Sequence, residues 1–485
     1  MHPFKELTIA GFAEGLREKE FSALEVTLAY LEDIKKRDGT LGAYLSVRDE
    51  AVQEAGAADL ALARGEDLGI LSGTPLAIKD NILIQGHTAT AASKILKDYV
   101  ASYDAGVIKK LKEAGAVFLG KTNLDEFAMG SSTENSGFHL TRNPHDPERV
   151  PGGSSGGSTA AVAANLAVAA LGSDTGGSIR QPAAFCGVVG LKPTYGAVSR
   201  SGLIAMASSL DQIGPIAKTV EDAARLFLAV KGSDPLDNTS IGHKYDDKEI
   251  LSPDFEKIKN LTVGVPKEYF IGGLEKEVED GVSAAIEKLK SIGVKFKSVS
   301  LPHTKYALST YYIIMPAEVS SNLARFDGIR YASGRSDVSY SHPKNLLDLY
   351  LADRGRGFGP EAKRRIILGT FVLSSGYYDA YYEKARLVSA LIRKDFDEAF
   401  GDVDVLLTPV TPTRAFKIGE KTSDPLSMYL SDVFTIPANL AGIPAISIPV
   451  GKTTEGELPV GFQLMGRHFR EADILGLGFY YEKLK

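Results

Sequence analysis

The sequence contains a single cysteine, Cys186, so no disulfide can form within the chain. It also has no apolar stretch long enough to cross a bilayer, since the longest such run covers only residues 160–171. Residues 1–20 lack the basic-then-apolar pattern of a signal peptide and carry acidic residues that a transit peptide avoids. These absences predict a protein of a reducing compartment, and we expect it in the cytoplasm.

The sequence has no excess of positive charge. Lysine and arginine total 55 residues against 61 aspartates and glutamates, which gives a net charge of −6. Because phosphate contacts need a concentrated basic face, this balance argues against nucleic-acid binding by this chain alone, although a local basic patch is compatible with it. The 44% of hydrophobic and 24% of charged residues are typical of an ordinary globular protein.

Short apolar segments alternate with helical patterns along much of the chain, which predicts an α/β layered fold. A capping-box pattern at Ser22 and Glu25 predicts the start of the first helix. A helix that is apolar on all sides, and therefore buried, is predicted over residues 159–171. Strands are predicted at residues 76–78, at the end of 104–120, and at 261–266, 294–302, 402–412 and 445–451. Because no segment has the composition of a flexible linker, we predict one domain over residues 1–485.

The segment 152–158, GGSSGGS, is the first of two glycine-rich loops that contain serine. Its glycines allow backbone angles closed to other residues and a close approach of a ligand. Since the loop leads into a predicted helix, its amides could gather at a helix N-terminus. A phosphate-binding P-loop would need a following lysine, and a dinucleotide fingerprint would need other glycine spacings. Taken alone, the loop is equally compatible with a phosphate cradle or a simple tight turn.

The second loop, residues 174–178, has the sequence Asp-Thr-Gly-Gly-Ser. The two glycines before Ser178 would let consecutive backbone N–H groups converge beside its hydroxyl, which is the geometry that an oxyanion hole requires. Ser178 is therefore a candidate nucleophile for attack on a carbonyl. The alternative is that Ser178 merely caps the next segment, as serines often do.

A serine nucleophile needs a base. The histidines offer none, because His87, His139 and His145 lie in polar, loop-like segments without a triad pattern. Lysine can serve instead once it is deprotonated, and burial lowers a lysine pKa from its usual value of about 10.4. Lys79 follows a predicted buried strand and is the candidate. From its position alone, however, an ion pair with Asp80 or another acid is the simpler interpretation.

Taken together, three motifs resemble those of the amidase-signature family. They are GTPLAIKD (73–80), GGSSGGS (152–158) and DTGGSIRQP (174–182), in the order and at the spacing of that family. The resemblance implies an α/β fold with a central mixed β-sheet covered by helices on both faces. It places the catalytic signature region from about residue 70 to about residue 205.

The resemblance assigns one role to each motif. Ser178 is the expected nucleophile, Lys79 is the expected base, and Ser154 is the expected proton relay, typically across a cis peptide bond from Gly153. Neutral lysine would take a proton from Ser154, which takes one from Ser178, and the reverse path would protonate the departing ammonia. The product of this half-reaction is an acyl-enzyme, which water then attacks.

The other residues of the second loop are expected to stabilise charge. The resemblance assigns the oxyanion hole to four amides, those of Thr175, Gly176, Gly177 and Ser178. It further implies that Asp174 and Arg180 support the loop through polar contacts. No His and Cys cluster predicts a metal site. Cys186 follows Phe185 in an apolar setting and is interpreted as a small buried side chain.

The downstream half resembles one branch of the family, the A subunits of bacterial glutamyl-tRNA(Gln) amidotransferases. The resemblance rests on residues 320–332, 361–385 and 424–449, and it extends over nearly the whole chain. It implies a glutamine-specificity region from about residue 305 to about residue 450.

By this resemblance, four residues are expected to bind glutamine: Arg365, Asp432, Tyr311 and Ser131. Arg365 would hold the α-carboxylate and Asp432 the α-amino group, which suits a zwitterion because such a ligand needs one cation and one anion. The neighbouring Tyr312 is an alternative candidate for the role assigned to Tyr311. Taken alone, residues such as Arg365 and Asp432 more often form surface ion pairs.

The resemblance also implies partners. The chain would hydrolyse glutamine and supply ammonia to a kinase and tRNA-binding B subunit, which uses ATP and Mg²⁺ to convert Glu-tRNA(Gln) to Gln-tRNA(Gln), with a small C subunit completing a heterotrimer. No cofactor in this chain and no membrane are expected. Two alternatives are a stand-alone amidase for small or fatty carboxamides, against which Arg365 and Asp432 argue, and a non-enzymatic scaffold, against which the filled positions 79, 154 and 178 argue.

Three features depart from the pattern expected for this branch. Met315, Pro316 and Val319 stand where smaller residues are common, the segment 332–345 is unusual, and the sequence stops soon after YYEKLK. We expect these departures to affect local packing and partner contacts rather than the candidate catalytic residues.

Overall fold

Strands and helices alternate along the chain. The computed structural model describes residues 4–66, 69–270, 272–331, 343–451 and 457–484. The strands are β1 Tyr44–Val47, β2 Pro75–Lys79, β3 Val117–Thr122, β4 Ala169–Asp174, β5 Val189–Lys192, β6 Gln212–Ala217, β7 Thr262–Pro266, β8 Lys295–Val299, β9 Val405–Pro409, β10 Ala445–Pro449 and β11 Gly461–Gly466. The α-helices are α1 Ile9–Glu18, α2 Ala23–Leu41, α3 Glu50–Ala63, α4 Gly106–Glu113, α5 Gly156–Ala163, α6 Arg180–Cys186, α7 Val220–Val230, α8 Asp247–Leu251, α9 Phe255–Lys259, α10 Lys276–Ser291, α11 Ala307–Asn322, α12 Leu346–Gly357, α13 Pro360–Val372, α14 Lys384–Asp402, α15 Pro425–Tyr429, α16 Ile436–Ala441 and α17 Glu471–Lys483. No helix within the described ranges is long and apolar enough to span a membrane.

The eleven strands form one mixed sheet in the order β1-β3-β2-β4-β6-β5-β10-β11-β9-β7-β8. Pairing is parallel between β2 and its neighbours β3 and β4, and between β7 and its neighbours β8 and β9. The other pairs are antiparallel. Every residue of β2, β3, β4, β6 and β9 is buried, which requires cover on both faces of the sheet. This is the α/β architecture that the sequence predicts.

The segment 159–171 is a helix followed by a strand, so the prediction of one helix over this segment was wrong. Helix α5 begins at Gly156, inside GGSSGGS, and ends at Ala163, and β4 begins at Ala169. Asn165 separates them with a φ of 58°, in the left-handed region. The apolar residues on either side of Asn165 fit a fully buried strand as well as a buried helix, so periodicity alone does not distinguish the two.

The capping box at Ser22 is confirmed, but it begins the second helix rather than the first. The Ser22 hydroxyl accepts a hydrogen bond from Glu25 N at 3.1 Å, and the Glu25 carboxylate accepts one from Ser22 N at 2.8 Å. The preceding helix α1 is capped by Thr8, whose hydroxyl accepts a hydrogen bond from Gly11 N at 2.9 Å. Because Gly11 replaces the Glu or Gln of a capping box, α1 carries a weaker start signal.

Strands β2 and β4 bring the two glycine-rich loops to one edge of the sheet. They are adjacent and parallel, so their last residues, Lys79 and Asp174, point toward the same edge. The loop that opens α5 lies beside the loop that follows β4, and Ser155 N donates a hydrogen bond to the carbonyl oxygen of Ser178 at 3.0 Å. The topology therefore assembles the three sequence motifs.

The downstream helices α11 and α13 pack closely against each other. Pro316 lies inside α11, and Gly369 of α13 lies so near the Pro316 carbonyl that a Cβ at position 369 would clash with that oxygen. Met315 and Val319 are buried on the same helix. These three departures from the family pattern therefore lie on buried positions of α11. Most of the unusual segment 332–345 lies outside the described residues.

Substitution of Asn165 tests the break between α5 and β4. Asn165→Ala is expected to lower the free energy of unfolding by about 1 kcal/mol, because an alanine Cβ is disfavoured in the left-handed conformation. Asn165→Gly is the matched control and is expected to change it by less than about 0.5 kcal/mol. Urea denaturation followed by circular dichroism measures both variants. Equal stability of the two would contradict this account of the helix end.

Candidate active site

Lys79, the last residue of β2, is completely buried among serines. Its Nζ atom lies 2.8 Å from Ser154 Oγ, 2.8 Å from Ser155 Oγ and 3.0 Å from Ser173 Oγ. Burial lowers the pKa of the Lys79 ammonium to about 7, and the nearest carboxylates oppose this shift only in part. A substantial fraction of Lys79 is therefore neutral near pH 7 and able to accept a proton.

Asp80 does not pair with Lys79, although the two are adjacent. The Asp80 carboxylate accepts a hydrogen bond from Lys121 Nζ at 3.0 Å and another from Thr90 N at 2.8 Å. Within the described part of the chain, no carboxylate lies within ion-pair distance of Lys79. The simpler interpretation from sequence position, an ion pair with Asp80, is thereby wrong.

Ser154 and Ser178 are brought to the same place by the two loops. The peptide bond between Gly153 and Ser154 is cis. Ser154 is fully buried against Lys79, whereas Ser178 keeps 8% of its surface exposed. Among the described residues, the Ser178 hydroxyl has no hydrogen-bond partner. The structure therefore contains the hydrogen bond between Lys79 and Ser154 but not one between Ser154 and Ser178. The Ser178 hydroxyl is consequently free to meet a ligand.

A buried ion pair holds the loop that carries Ser178. Arg180 binds the Asp174 carboxylate with two donors, Nε at 3.0 Å and Nη2 at 3.1 Å, and neither side chain is exposed. Although burial alone would raise it, this guanidinium keeps the pKa of Asp174 at about 2. Arg180 also donates to Asn439 Oδ1 at 2.6 Å and to the Thr435 carbonyl at 3.0 Å. The loop is thus fixed to the downstream half of the chain.

The amide of Gly177 is not available to an oxyanion, contrary to the expectation from family resemblance. It donates a hydrogen bond to Asp174 Oδ1 at 2.9 Å. Within the described chain, the amides of Thr175, Gly176 and Ser178 have no acceptor, so they are the remaining candidates. Gly177 instead lets the backbone turn close to Thr435. Its φ is 138°, and a Cβ at this position would clash with Thr435.

Asp432 lies buried with one oxygen unpaired. The Ser131 hydroxyl donates a hydrogen bond to Asp432 Oδ2, while Oδ1 has no partner among the described residues. Burial raises the pKa of this carboxyl to about 8, and the hydrogen bond from Ser131 opposes the shift. Gln181 links this pair to the first loop. Its side-chain amide donates a hydrogen bond to the Ser131 carbonyl at 3.0 Å and accepts one from Gly153 N at 2.9 Å. A cationic ligand would relieve the unpaired carboxylate oxygen.

Arg365 lies on α13 and is held in place by its neighbours. Its Nε atom donates to Glu361 Oε1 at 2.6 Å, and its Nη1 atom lies 3.2 Å from the sulfur of Met315. The guanidinium carbon lies 4.7 Å and 4.8 Å from the ring centroids of Tyr312 and Tyr429. No hydrogen bond joins Arg365 to Asp432 in the described chain. Arg365 and the Asp432 carboxyl group therefore both belong to the site without pairing with each other.

The structure distinguishes Tyr311 from Tyr312. A Cβ at Gly176 would lie 2.9 Å from the hydroxyl of Tyr311, so this ring borders the loop of Ser178. Tyr312 instead stacks on Tyr429, with ring centroids 3.9 Å apart, beside Arg365. Burial raises the pKa of both tyrosines, and the opposite charges of Arg365 and Asp432 act on each of them. Tyr311 therefore lies between the serine loop and the two charged groups.

Several residues of the site were absent from the sequence-based prediction: Asn81, Asp125, Ser155, Ser173, Gln181, Glu361 and Tyr429. Two of them carry a detectable signal. Ser155 is adjacent to Ser154 in GGSSGGS, and Glu361 precedes Arg365 by one helical turn, the spacing of an ion pair on a helix. Gln181 lies within the motif 174–182, although its contacts were not predicted, whereas Asp125 meets the site only through the tertiary fold and nothing in its local sequence marks it.

Comparison with known proteins identifies the class to which this fold and site belong. A family model described as Amidase matches residues 25–475. The chain therefore belongs to the amidase-signature family, as the resemblance of its three motifs predicts.

Within the family, the chain is similar to one particular protein over nearly its full length. The A subunit of the glutamyl-tRNA(Gln) amidotransferase of Carboxydothermus hydrogenoformans is 58% identical over 480 residues, which cover 99% of this chain and 96% of the relative. The protein of the same name from Moorella thermoacetica is 55% identical over 479 residues, covering 98% and 96%. The crystal structure of the A subunit of glutamyl-tRNA(Gln) amidotransferase from Thermotoga maritima has a TM-score of 0.80 at 46% identity, covering 98% of this chain and 94% of that one.

Substitution of Arg180 tests the ion pair that holds the second loop. Arg180→Met is expected to lower the free energy of unfolding by about 3–5 kcal/mol, because it leaves the buried Asp174 carboxylate without its bonded cation. The double variant Asp174→Asn with Arg180→Met is expected to regain part of this loss, since no buried charge is then stranded. Thermal and urea unfolding measure both. A double variant no more stable than the single one would argue against the pair as the cause.

Proposed function

We propose that this chain is the glutaminase subunit of a tRNA-dependent amidotransferase that converts Glu-tRNA(Gln) to Gln-tRNA(Gln). The observation that carries the proposal is the buried Lys79 amine, which has no counter-ion among the described residues, contacts Ser154 and lies beside the loop of Ser178. The similarity to proteins named as the A subunit of glutamyl-tRNA(Gln) amidotransferase supports the assignment of the substrate and the complex.

The proposed reaction begins with two proton transfers. Neutral Lys79 takes the proton of the Ser154 hydroxyl, and Ser154 takes that of Ser178 as the Ser178 oxygen attacks the carboxamide carbon of glutamine. The amides of Thr175, Gly176 and Ser178 stabilise the resulting oxyanion. Collapse of this intermediate breaks the C–N bond, and the proton returns through Ser154 to the leaving ammonia. Water then hydrolyses the γ-glutamyl ester of Ser178 and releases glutamate.

Glutamine is a zwitterion at its α-carbon, and the site offers one group of each sign. Asp432, supported by Ser131, would accept hydrogen bonds from the α-ammonium through its unpaired oxygen. Arg365 would bind the α-carboxylate as a bidentate donor. Tyr311 borders Gly176 and lies under the influence of both charges, so it would line the path from the α-carbon to the carboxamide.

The proposed place of this chain in a larger enzyme follows from its product. Ammonia would pass to a kinase and tRNA-binding B subunit, which uses ATP and Mg²⁺ to activate the glutamyl group, and a small C subunit would complete the heterotrimer. This chain needs no cofactor for its part of the reaction. Its net charge of −6 is consistent with a tRNA that is held mainly by the partner. The assembly would work in the cytoplasm.

Reconstitution with the presumed partner subunits tests the function. The complex is expected to form Gln-tRNA(Gln) from Glu-tRNA(Gln), ATP and glutamine. Ser178→Ala is expected to lower the glutamine-dependent rate at least ~1,000-fold, because the nucleophile is gone. Ammonium chloride should restore product formation in this variant, since ammonia bypasses the missing step. Aminoacyl-tRNA analysis with labelled glutamine and labelled ammonium measures the two routes separately.

Two outcomes of that experiment would contradict the proposal. The first is a complete complex that forms no Gln-tRNA(Gln) from glutamine. The second is rapid hydrolysis of acetamide or fatty amides by the chain alone, with glutamine inert, which would favour a stand-alone amidase instead. Unchanged glutamine hydrolysis in Ser178→Ala would remove this serine from the mechanism.

Substitution of Arg365 tests glutamine recognition. Arg365→Met is expected to raise KM for glutamine by about 10- to 100-fold, the effect of losing a charge-assisted hydrogen-bonded pair, with a smaller change in kcat. The slow hydrolysis of butyramide, which lacks α-charges, should change much less. Arg386→Met on α14 is the matched control, because Arg386 is exposed and pairs with Glu383. Equal losses on glutamine and butyramide would show a structural defect rather than a lost carboxylate contact.

A further inference from the structure

The hydrogen bonds around Lys79 nearly determine where its lone pair points. A neutral amine has two N–H donors and one lone pair, and Nζ contacts the hydroxyls of three residues, Ser154, Ser155 and Ser173. To act as a base toward Ser154, the amine must direct its lone pair at that hydroxyl. Its two N–H groups must then be donated to the other two residues.

Ser155 is already committed as an acceptor toward Lys79. Its hydroxyl hydrogen is donated to the Ser173 carbonyl, with a distance of 3.1 Å, and one of its lone pairs accepts from Ser173 N at 3.3 Å. Only one lone pair is left, and Lys79 Nζ lies 2.8 Å from it. In this arrangement Lys79 donates an N–H group to Ser155, and its lone pair points elsewhere.

Ser173 provides the second acceptor. Its hydroxyl oxygen accepts a hydrogen bond from Asn81 Nδ2 at 2.9 Å and lies 3.0 Å from Lys79 Nζ. Its backbone carbonyl, 3.3 Å from Nζ, can act only as an acceptor. With one N–H group directed at Ser155 and the other at the Ser173 carbonyl, the lone pair of the nitrogen can face Ser154.

We propose that Ser155 is a positioning residue that directs the lone pair of Lys79 at Ser154. Ser155 touches neither glutamine nor Ser178 through its side chain in this role; it acts through the orientation of the amine. The inference rests on the proposed function, in which Lys79 is the base. It adds a third serine, from GGSSGGS itself, to the two whose roles the family motifs imply.

The charges that face Lys79 come from three other segments and stay unchanged when Ser155 is altered. They are the carboxylates of Asp125, Asp174 and Asp211, which act on the ammonium from a distance. Loss of Ser155 removes one hydrogen-bond acceptor from Lys79 in both its protonated and its neutral form. Since hydrogen bonds from a charged donor are the stronger ones, the ammonium is weakened more and the pKa of Lys79 falls further.

The experiment compares the pH dependence of kcat/KM for glutamine in the complete complex of wild type, Ser155→Ala and Ser158→Ala. Wild type is expected to lose activity as the pH falls through about 7, because Lys79 becomes protonated. In Ser155→Ala, kcat/KM should fall by about 10- to 100-fold at pH ~8, while the acid limb moves to lower pH. More of the base is then neutral and yet the rate is lower, which a misdirected lone pair explains.

Ser158→Ala is the matched control because Ser158 is also fully buried on α5 and hydrogen-bonded. Its hydroxyl pairs with Thr122 Oγ1 at 2.7 Å and with the Leu171 carbonyl at 3.2 Å, not with Lys79. This variant is expected to keep the wild-type acid limb and more than half of the activity. Thermal unfolding of both variants checks that each is folded.

An acid limb that stays in place in Ser155→Ala, with kcat/KM either unchanged or reduced, would overturn the positioning role, as would a shift to higher pH. A variant too unstable to assay would be replaced by Ser155→Cys, whose weak thiol acceptor is expected to give the same direction of shift. A wild-type complex without glutamine-dependent activity would refute the proposed function itself, so the two failures are distinguishable.

Discussion

The site depends on one constraint, the removal of the Lys79 amine from both water and negative charge. Three carboxylates lie near enough to act on it, and any of them would keep it protonated as a direct partner. Each is engaged elsewhere: Asp125 by the amides of Thr133 and Asn135, Asp174 by Arg180, and Asp211 by the Thr175 hydroxyl and two amides. The fold therefore surrounds the lysine with neutral hydroxyls, and a base becomes available without histidine.

One of these carboxylates, that of Asp174, also connects the two halves of the chain through Arg180 and Asn439. Arg180, which forms the ion pair with Asp174, also donates hydrogen bonds to the backbone of Thr435 and the side chain of Asn439. The Thr435 hydroxyl donates a hydrogen bond to the Gly176 carbonyl at 2.7 Å. Asp432 lies three residues before Thr435. The loop that carries the candidate nucleophile Ser178 and the segment that carries Asp432 are thus both held by one ion pair. This coupling explains why motifs so far apart in sequence form one site.

Sequence patterns predicted the parts of the site that lie within short motifs. Ser154 and Ser178 lie in glycine-rich turns, Lys79 ends a buried strand, and the central strands follow from apolar runs. The patterns failed where orientation decides, because Gly177 N turns to Asp174 rather than to a ligand. They named Tyr311 but did not separate it from Tyr312, and the structure places Tyr311 beside Gly176. The segment 159–171 failed because burial on every side removes the periodicity that separates helix from strand. Such features depend on contacts between segments distant in sequence.

The two charged groups of the candidate substrate site differ in how far the protein satisfies them. Arg365 is held by Glu361, Met315 and two tyrosine rings, so its position is fixed before a ligand arrives. Asp432 retains a buried oxygen without a partner among the described residues, and burial raises its pKa to about 8. A ligand without an α-ammonium group leaves that oxygen unpaired, whereas one with it completes the site. In the proposed glutamine site, rejection of simple amides would come mainly from Asp432, because a buried polar group left without its partner discriminates more strongly than a missing apolar contact.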